Sequence, residues 1–221
     1  MKTVYAIHTG PVLLDVLRTL FSEMLPDVRL VNVVDDSLLA DVRTAGSLTA
    51  AVSRRILGYG LIAASSGADA ILNCCSSVGE AADVLAKIVD VPVVKIDDRM
   101  ASRAIDLGSR IGVMATLATT LDPTERLILC KAAESGRQVQ TKRYLADSAF
   151  DALLAGHADR HDQLVRATVE RAMDENDVVV LAQGSMARLI PLVQGHSSVP
   201  VLSSPRLGIE ALREKLNLPV P

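Results

Sequence analysis

Aromatic side chains are nearly missing from this chain of 221 residues, which has two Phe, three Tyr and no Trp. Nucleic-acid bases would find almost nothing to stack on, and the core has to be aliphatic. An excess of positive charge is also missing, with 23 Lys and Arg against 26 Asp and Glu, so no phosphate-backbone footprint is expected. Cysteine is scarce: Cys74 and Cys75 are adjacent and Cys130 is remote, too few for a disulfide framework or a four-ligand zinc site. A reduced, cytoplasmic setting is therefore expected, with no metal. Long apolar runs are lacking as well. The most apolar stretch, residues 56–75, is broken by Gly58, Gly60, Gly67 and Asp69 before it reaches the ~20 residues of a membrane span. Met1–His8 carries no secretory-signal pattern, and no glycine-rich phosphate loop follows a strand. Neither a membrane, a nucleic acid nor a nucleotide cofactor is expected as partner.

What remains is 49% hydrophobic and 22% charged, the balance of a compact globular protein. Short β-branched runs alternate with helical periodicity, the pattern of a parallel sheet flanked by helices. The expected fold class is α/β. Strands are predicted at 3–8, 29–34, 70–74, 91–96, 110–115, 138–144, 177–182 and 199–203. After Pro11, which suits a first helical turn, Leu13, Val16, Leu17, Leu20 and Met24 share one helix face. Sliding the chain on itself by 108 residues pairs Asp69–Leu72 with Asp177–Val180 and Val91–Val94 with Val199–Leu202. The same shift, without a gap, sets Val4–Thr9 on Gly112–Leu117. This predicts a duplicated lobe: an N-terminal lobe over 1–100, joined by a C-terminal helix at 206–217, and a second lobe over 101–205. Open α/β sheets bind ligands at the carboxyl ends of their strands, so an active site is expected in a cleft between the lobes.

One strand end carries reactive chemistry. Ile71-Leu72-Asn73-Cys74-Cys75-Ser76-Ser77-Val78-Gly79-Glu80 runs from an apolar strand through small polar residues into a helix predicted to end near Val89. Backbone N–H groups and the helix dipole at such a turn favour a thiolate and bind carboxylates. An unusually acidic thiol is expected. Cys75, followed by two hydroxyl residues, is preferred over Cys74, which ends the strand.

The Cys75-Ser76-Ser77 turn resembles the Cys-Asn-Thr or Cys-Thr-Ser element of the aspartate/glutamate/hydantoin racemase superfamily. Arg110-Ile111-Gly112-Val113-Met114-Ala115-Thr116-Leu117-Ala118-Thr119-Thr120 resembles that family's strand opening the second lobe, where two threonines hold the substrate carboxylate; Thr116 and Thr119 match them. Val91-Pro92-Val93-Val94-Lys95-Ile96-Asp97-Asp98 is similar to the Pro-Val-Val-Gly-Ile-x-Glu stretch of the hydantoin-racemase branch, with Lys95 for Gly and Asp98 for Glu. The likeness spans nearly the whole chain. It implies two pseudo-symmetric α/β lobes and a cofactor-independent racemase or isomerase acting on a small carboxylate. Thr9, Ser76, Ser77, Thr116, Thr119, Gly184 and Ser185 are the expected substrate-binding residues.

One departure bears on the reaction. These racemases place a second cysteine at the symmetry-related turn, and the two thiols work on opposite faces of the α-carbon. Here the matching segment is Leu181-Ala182-Gln183-Gly184-Ser185-Met186-Ala187, so Gln183 stands where the second thiol would be. An amide cannot accept and return a proton as a thiolate does. The resemblance then leaves three one-thiol reactions open. Cys75 protonates an enediolate after CO2 loss, as in arylmalonate decarboxylase-like members, whose single cysteine lies in the other lobe. It adds to a double bond, as in maleate isomerase-like members, with Gln183 and the serines as oxyanion donors. Or it racemises with His8, at the end of the first strand, supplying the second proton. A carboxylate-binding protein that has lost catalysis is the alternative from another class.

Other residues read more plainly. His157 and His161 are expected on a solvated helix face, Arg188 as an exposed helix residue and Cys130 in the core. Selectivity is expected near Asn73, Val78, Lys95, Met186 and a loop before Arg43, and symmetric self-association is the default expectation.

Overall fold

The computed structural model describes residues 1–194 and 197–219. Contacts divide the chain into two compact units, Met1–Asp98 together with the chain from Pro205 onward, and Arg99–Ser204. Each contains one four-stranded sheet, and every neighbouring strand pair is parallel.

In the first unit β1 (Lys2–His8) leads through a 3-10 turn at Pro11–Leu13 into α1 (Leu14–Met24), then β2 (Val28–Val34), α2 (Ser37–Ala45), α3 (Ala50–Ser65) and β3 (Ala70–Asn73). A 3-10 turn at Ser76–Val78, α4 (Gly79–Leu85) and β4 (Val93–Lys95) follow. The second unit runs α5 (Asp98–Leu107), β5 (Arg110–Ala115), α6 (Ala118–Glu134), β6 (Gln140–Leu145), α7 (Ala149–Leu154), α8 (Ala158–Glu175) and β7 (Val178–Leu181). It closes with a 3-10 turn at Gly184–Leu189, α9 (Ile190–Gln194) and β8 (Val201–Ser203), after which α10 (Ser204–Lys215) returns to the first unit. The strand orders are β2-β1-β3-β4 and β6-β5-β7-β8.

All eight predicted strands form. β4 and β8 are shorter than predicted, because Pro92 and Pro200 have no N–H for the ladder and contribute only their carbonyls, to Ile71 and Val179. β3 and β7 are buried on both faces, as central strands of a helix-covered parallel sheet must be. In the first unit one face packs Val4, Ala6, Leu72 and Cys74 against Leu17, Leu20, Phe21 and Met24 of α1 and Ile209 and Leu212 of α10. The other packs Ile7 and Ile71 against Leu38, Val52, Ile56 and Leu85.

The repeat is real but needs one correction. Val4 pairs with Ala70 and Ile111 with Val178, so β3 maps onto β7 at 108 residues while β1 maps onto β5 at 107. Thr9 is therefore the counterpart of Thr116, not of Leu117. A brace common to both units shows the same offset: Asp69 Oδ2 accepts the Thr3 N–H at 2.7 Å, and Asp177 Oδ2 accepts the Arg110 N–H at 2.9 Å.

Asp177 is gripped further by the Arg110 side chain (2.7 Å) and the Ser109 N–H, which hold its carboxyl at about 2. A carboxylate with a depressed folded-state pKa stabilises fully above its ordinary range and loses that contribution as pH falls through the folded value. Asp177→Asn is expected to lower the urea midpoint at pH 7 and to flatten its pH dependence between about pH 4 and 2; an unaltered profile would contradict this brace.

Candidate active site

β3 ends at Asn73, and the chain leaves the sheet through Cys74 and Cys75. The buried Asn73 amide folds back, Nδ2 donating to the Cys75 carbonyl at 2.9 Å, while Cys75 stays extended at φ −141°. Successive side chains on extended backbone point opposite ways. Cys74 accordingly enters the core shared with α1 and α10, while half-buried Cys75 lies against the opposite cluster.

The Cys75 sulfur accepts hydrogen bonds from the Thr9 hydroxyl and from the N–H and hydroxyl of Ser77, and the charge of the buried Asp97 carboxyl acts on it. Burial pushes the thiol up, the three donors pull it down, and the Asp97 charge pushes it up again; the net direction is above an ordinary thiol. Burial drives Cys74 well above its ordinary value. The acidic thiol expected from the sequence is thus not what the turn provides. Desolvation outweighs the donors, and only a 3-10 turn and then the short α4 follow the sulfur.

His8 is buried, and its Nε2 donates to Asn32 Oδ1 at 2.9 Å. The Cys74 sulfur lies 4.0 Å from Nε2. Burial lowers the imidazole pKa against the opposing pull of Asn32, so the ring is neutral, and Nδ1 has no partner among the described residues. Asn32 and Asp97 belong to this constellation and went unnoticed in the sequence. Asn32 sits mid-strand with no motif to mark it. The resemblance matches Asp98 to the family's Glu, yet it is Asp97 that is buried.

The second unit repeats the arrangement with an amide in place of the sulfur. Gln183 is extended at φ −131° ahead of its own 3-10 turn. Its Oε1 accepts from the Thr116 N–H at 2.6 Å and from the Thr116 hydroxyl at 2.9 Å. Thr9 thus serves Cys75 as Thr116 serves Gln183. With the amide oxygen held by Thr116, the other half of the group is a pure N–H donor. Gly184, Ser185 and Thr119 are half-buried nearby in sequence, and Thr116 is buried.

Several expectations are corrected. His161 is fully buried rather than solvated; Asp162 Oδ1 lies 2.8 Å from its Nδ1, and Arg188 holds Asp162 at 2.7 Å. Of that pair, His157 is the exposed one. Cys130 is exposed on α6 beside Glu134, because it falls off that helix's inner face, where Leu121, Ile128 and Ala132 are buried. No loop precedes Arg43, which lies within α2, and Val78 and Met186 are core residues. Among the described residues no group of His, Cys, Asp and Glu could hold a metal ion, and no helix is long and apolar enough to cross a membrane.

Two like parallel α/β units, each with a threonine-faced strand-end turn, define a duplicated α/β protein. The sequence model of the Asp/Glu/Hydantoin racemase family matches residues 9–220, and the chain belongs to that family. Aspartate racemase of Picrophilus torridus is similar in structure at TM-score 0.76 and 16% identity, over 100% of this chain and 96% of that one. Allantoin racemase from Klebsiella pneumoniae gives 0.72 at 16% identity, over 100% and 91%. A sulfate-associated variant of arylmalonate decarboxylase gives 0.65 at 18%, over 97% and 93%. At these identities the likeness is one of fold. A sequence search of curated proteins finds no match.

Proposed function

We propose that this chain is a cofactor-independent racemase or isomerase acting at the α-carbon of a small carboxylate through one thiol, that of Cys75. The observation that carries the reading is the unlike pair of equivalent turns: Thr9 faces a sulfur, Thr116 faces an amide. The sulfur can hand over or take a proton, whereas the amide can only make hydrogen bonds. Ser76, Ser77 and Thr9 in the first turn, and Thr116, Thr119, Gly184 and Ser185 in the second, are assigned to the substrate's carboxylate and the charge that develops on it. For racemisation the second proton is assigned to His8, whose neutral ring keeps an unshared lone pair at Nδ1.

A second reading is a one-thiol decarboxylase, favoured by the protonated resting state of Cys75. A thiol quenches the carbanion left by CO2 loss without first having to act as a base. His8→Asn separates the two. Racemisation should fall by about 10²–10⁴-fold, whereas decarboxylation should survive within a few-fold. The proposal as a whole is tested by iodoacetamide: modification at Cys75 should stop turnover, and small carboxylates that are turned over should protect the sulfur. Carboxylates that protect Cys75 yet are never turned over would move the protein to the non-catalytic, ligand-binding class.

A further inference from the structure

Strand pairing sets the place of Asp97. Ile71 faces Val93 and Asn73 faces Lys95, and the Ile96 N–H donates to the Asn73 carbonyl at 3.0 Å. Continued by two residues, that register brings Asp97 level with Cys75. The carboxyl accepts from the Ser76 hydroxyl, while Oδ1 is buried without a partner among the described residues. The group is buried, at 3% exposure. A neutral side chain would meet the Ser76 hydroxyl without the desolvation cost of a carboxylate, so an ionisable group here calls for a role.

We infer that Asp97 is a positioning residue for Cys75: it fixes the Ser76 hydroxyl and shares the buried turn with the sulfur, so that the two acidic groups carry at most one negative charge between them. The inference rests on Cys75 being the working thiol. Ionising both groups would place two negative charges in one buried turn. The sulfur therefore gives up its proton only at raised pH, or to Asp97 itself, which leaves the pair with a single negative charge. The surrounding charges are few. Burial pushes the Asp97 carboxyl up, the Ser76 hydroxyl and Lys95, itself held by Asp83 of α4 at 2.8 Å, pull it down, and Asp98 at the head of α5 pushes it up; the net direction is above an ordinary carboxyl. A charge on Cys75 in turn pushes the buried Cys74 thiol up, and neutral His8 lies beside Cys74. A sulfur held as thiol is a proton donor. The step it serves best is protonation of an α-carbanion generated by another group or by loss of CO2.

The test is the pH profile of iodoacetamide alkylation at Cys75, located by peptide fragmentation, in the full chain. Asp97→Asn is expected to shift the inflection down by about one pH unit, making alkylation at pH 7 about tenfold faster. Asp97→Ser, smaller and able to meet Ser76, should do the same, and Asp98→Asn should leave the profile in place. An unshifted inflection in a folded neutral variant overturns the inference. If neither variant folds, the ¹³C carboxyl shift of Asp97 in the native chain decides: an ionised group at pH 7 supports the role, and a carboxyl still protonated at pH 8 overturns it. These readouts need no turnover. A shifted thiol in a protein without activity would sink the catalytic reading and leave the Asp97 pairing standing.

Discussion

Cys75→Ala is expected to lose about a thousandfold or more in kcat, with substrate affinity changed only a few-fold. General acid–base catalysis by a positioned group contributes about 10²–10⁴-fold, and Gln183 cannot substitute for the lost sulfur because it has no proton to exchange near neutral pH. Cys75→Ser separates chemistry from packing. A hydroxyl can still meet Thr9 and Ser77, so the turn keeps its shape, yet it neither donates nor accepts a proton at a useful rate. It should be as inactive as the alanine variant. Cys74→Ala is the internal control: that sulfur is buried in the α1–α10 core, and its loss should cost stability of about 1 kcal/mol while leaving turnover within a few-fold. Steady-state kinetics with thermal melts checks all three.

Gly208→Val should lower the unfolding temperature by about 5–10 °C. Gly208 lies on α10, and a side chain there would meet the Ile96 carbonyl at 2.6 Å, Ile96 Cγ1 at 2.7 Å and Ile96 Cα at 3.0 Å. Two of those atoms are backbone and cannot rotate aside. The helix would have to lift from the end of β4, the segment that carries Asp97 toward Cys75. Alanine at the same place regains about 1 kcal/mol of helix propensity, so valine gives the clearer effect. The contrast is Gly58→Ala on α3, where nothing lies within 4 Å; it should be neutral or stabilising by up to about 1 kcal/mol. Equal melting temperatures for Gly208→Val and the native chain would show that α10 does not pack as described.

Much of this was legible in the sequence, and the exceptions share a physical cause. Strands with β-branched runs were legible because central parallel strands are apolar throughout. The repeat was legible because both units place an aspartate ahead of the third strand and a valine-proline pair ahead of the fourth. Its one-residue slip was not, since register is set by hydrogen bonds across the sheet and a single shift along the chain cannot contain two offsets. Cys75 stood out by the small polar residues around it. The state of its thiol did not, because desolvation depends on what Asp97 and the neighbouring helices bring from elsewhere in the chain. His161 reads as solvated among Asp and Arg residues, yet its neighbour Asp162 and the distant Arg188, from the turn after β7, cover it. Cys130 misled in the opposite way: it follows three apolar residues but sits on the outer side of its helix.

The most direct measurement is proton NMR of the purified protein in D2O with amino acids, hydantoins, aryl- and alkylmalonates, maleate and 2-hydroxy acids, run in parallel on Cys75→Ala and Cys74→Ala. The one-thiol account predicts that at least one acid exchanges its α-proton, loses CO2 or changes from cis to trans, that Cys74→Ala still does so, and that Cys75→Ala does not. The same conversion persisting in Cys75→Ala, or no conversion of any of these acids by folded native protein, would contradict it.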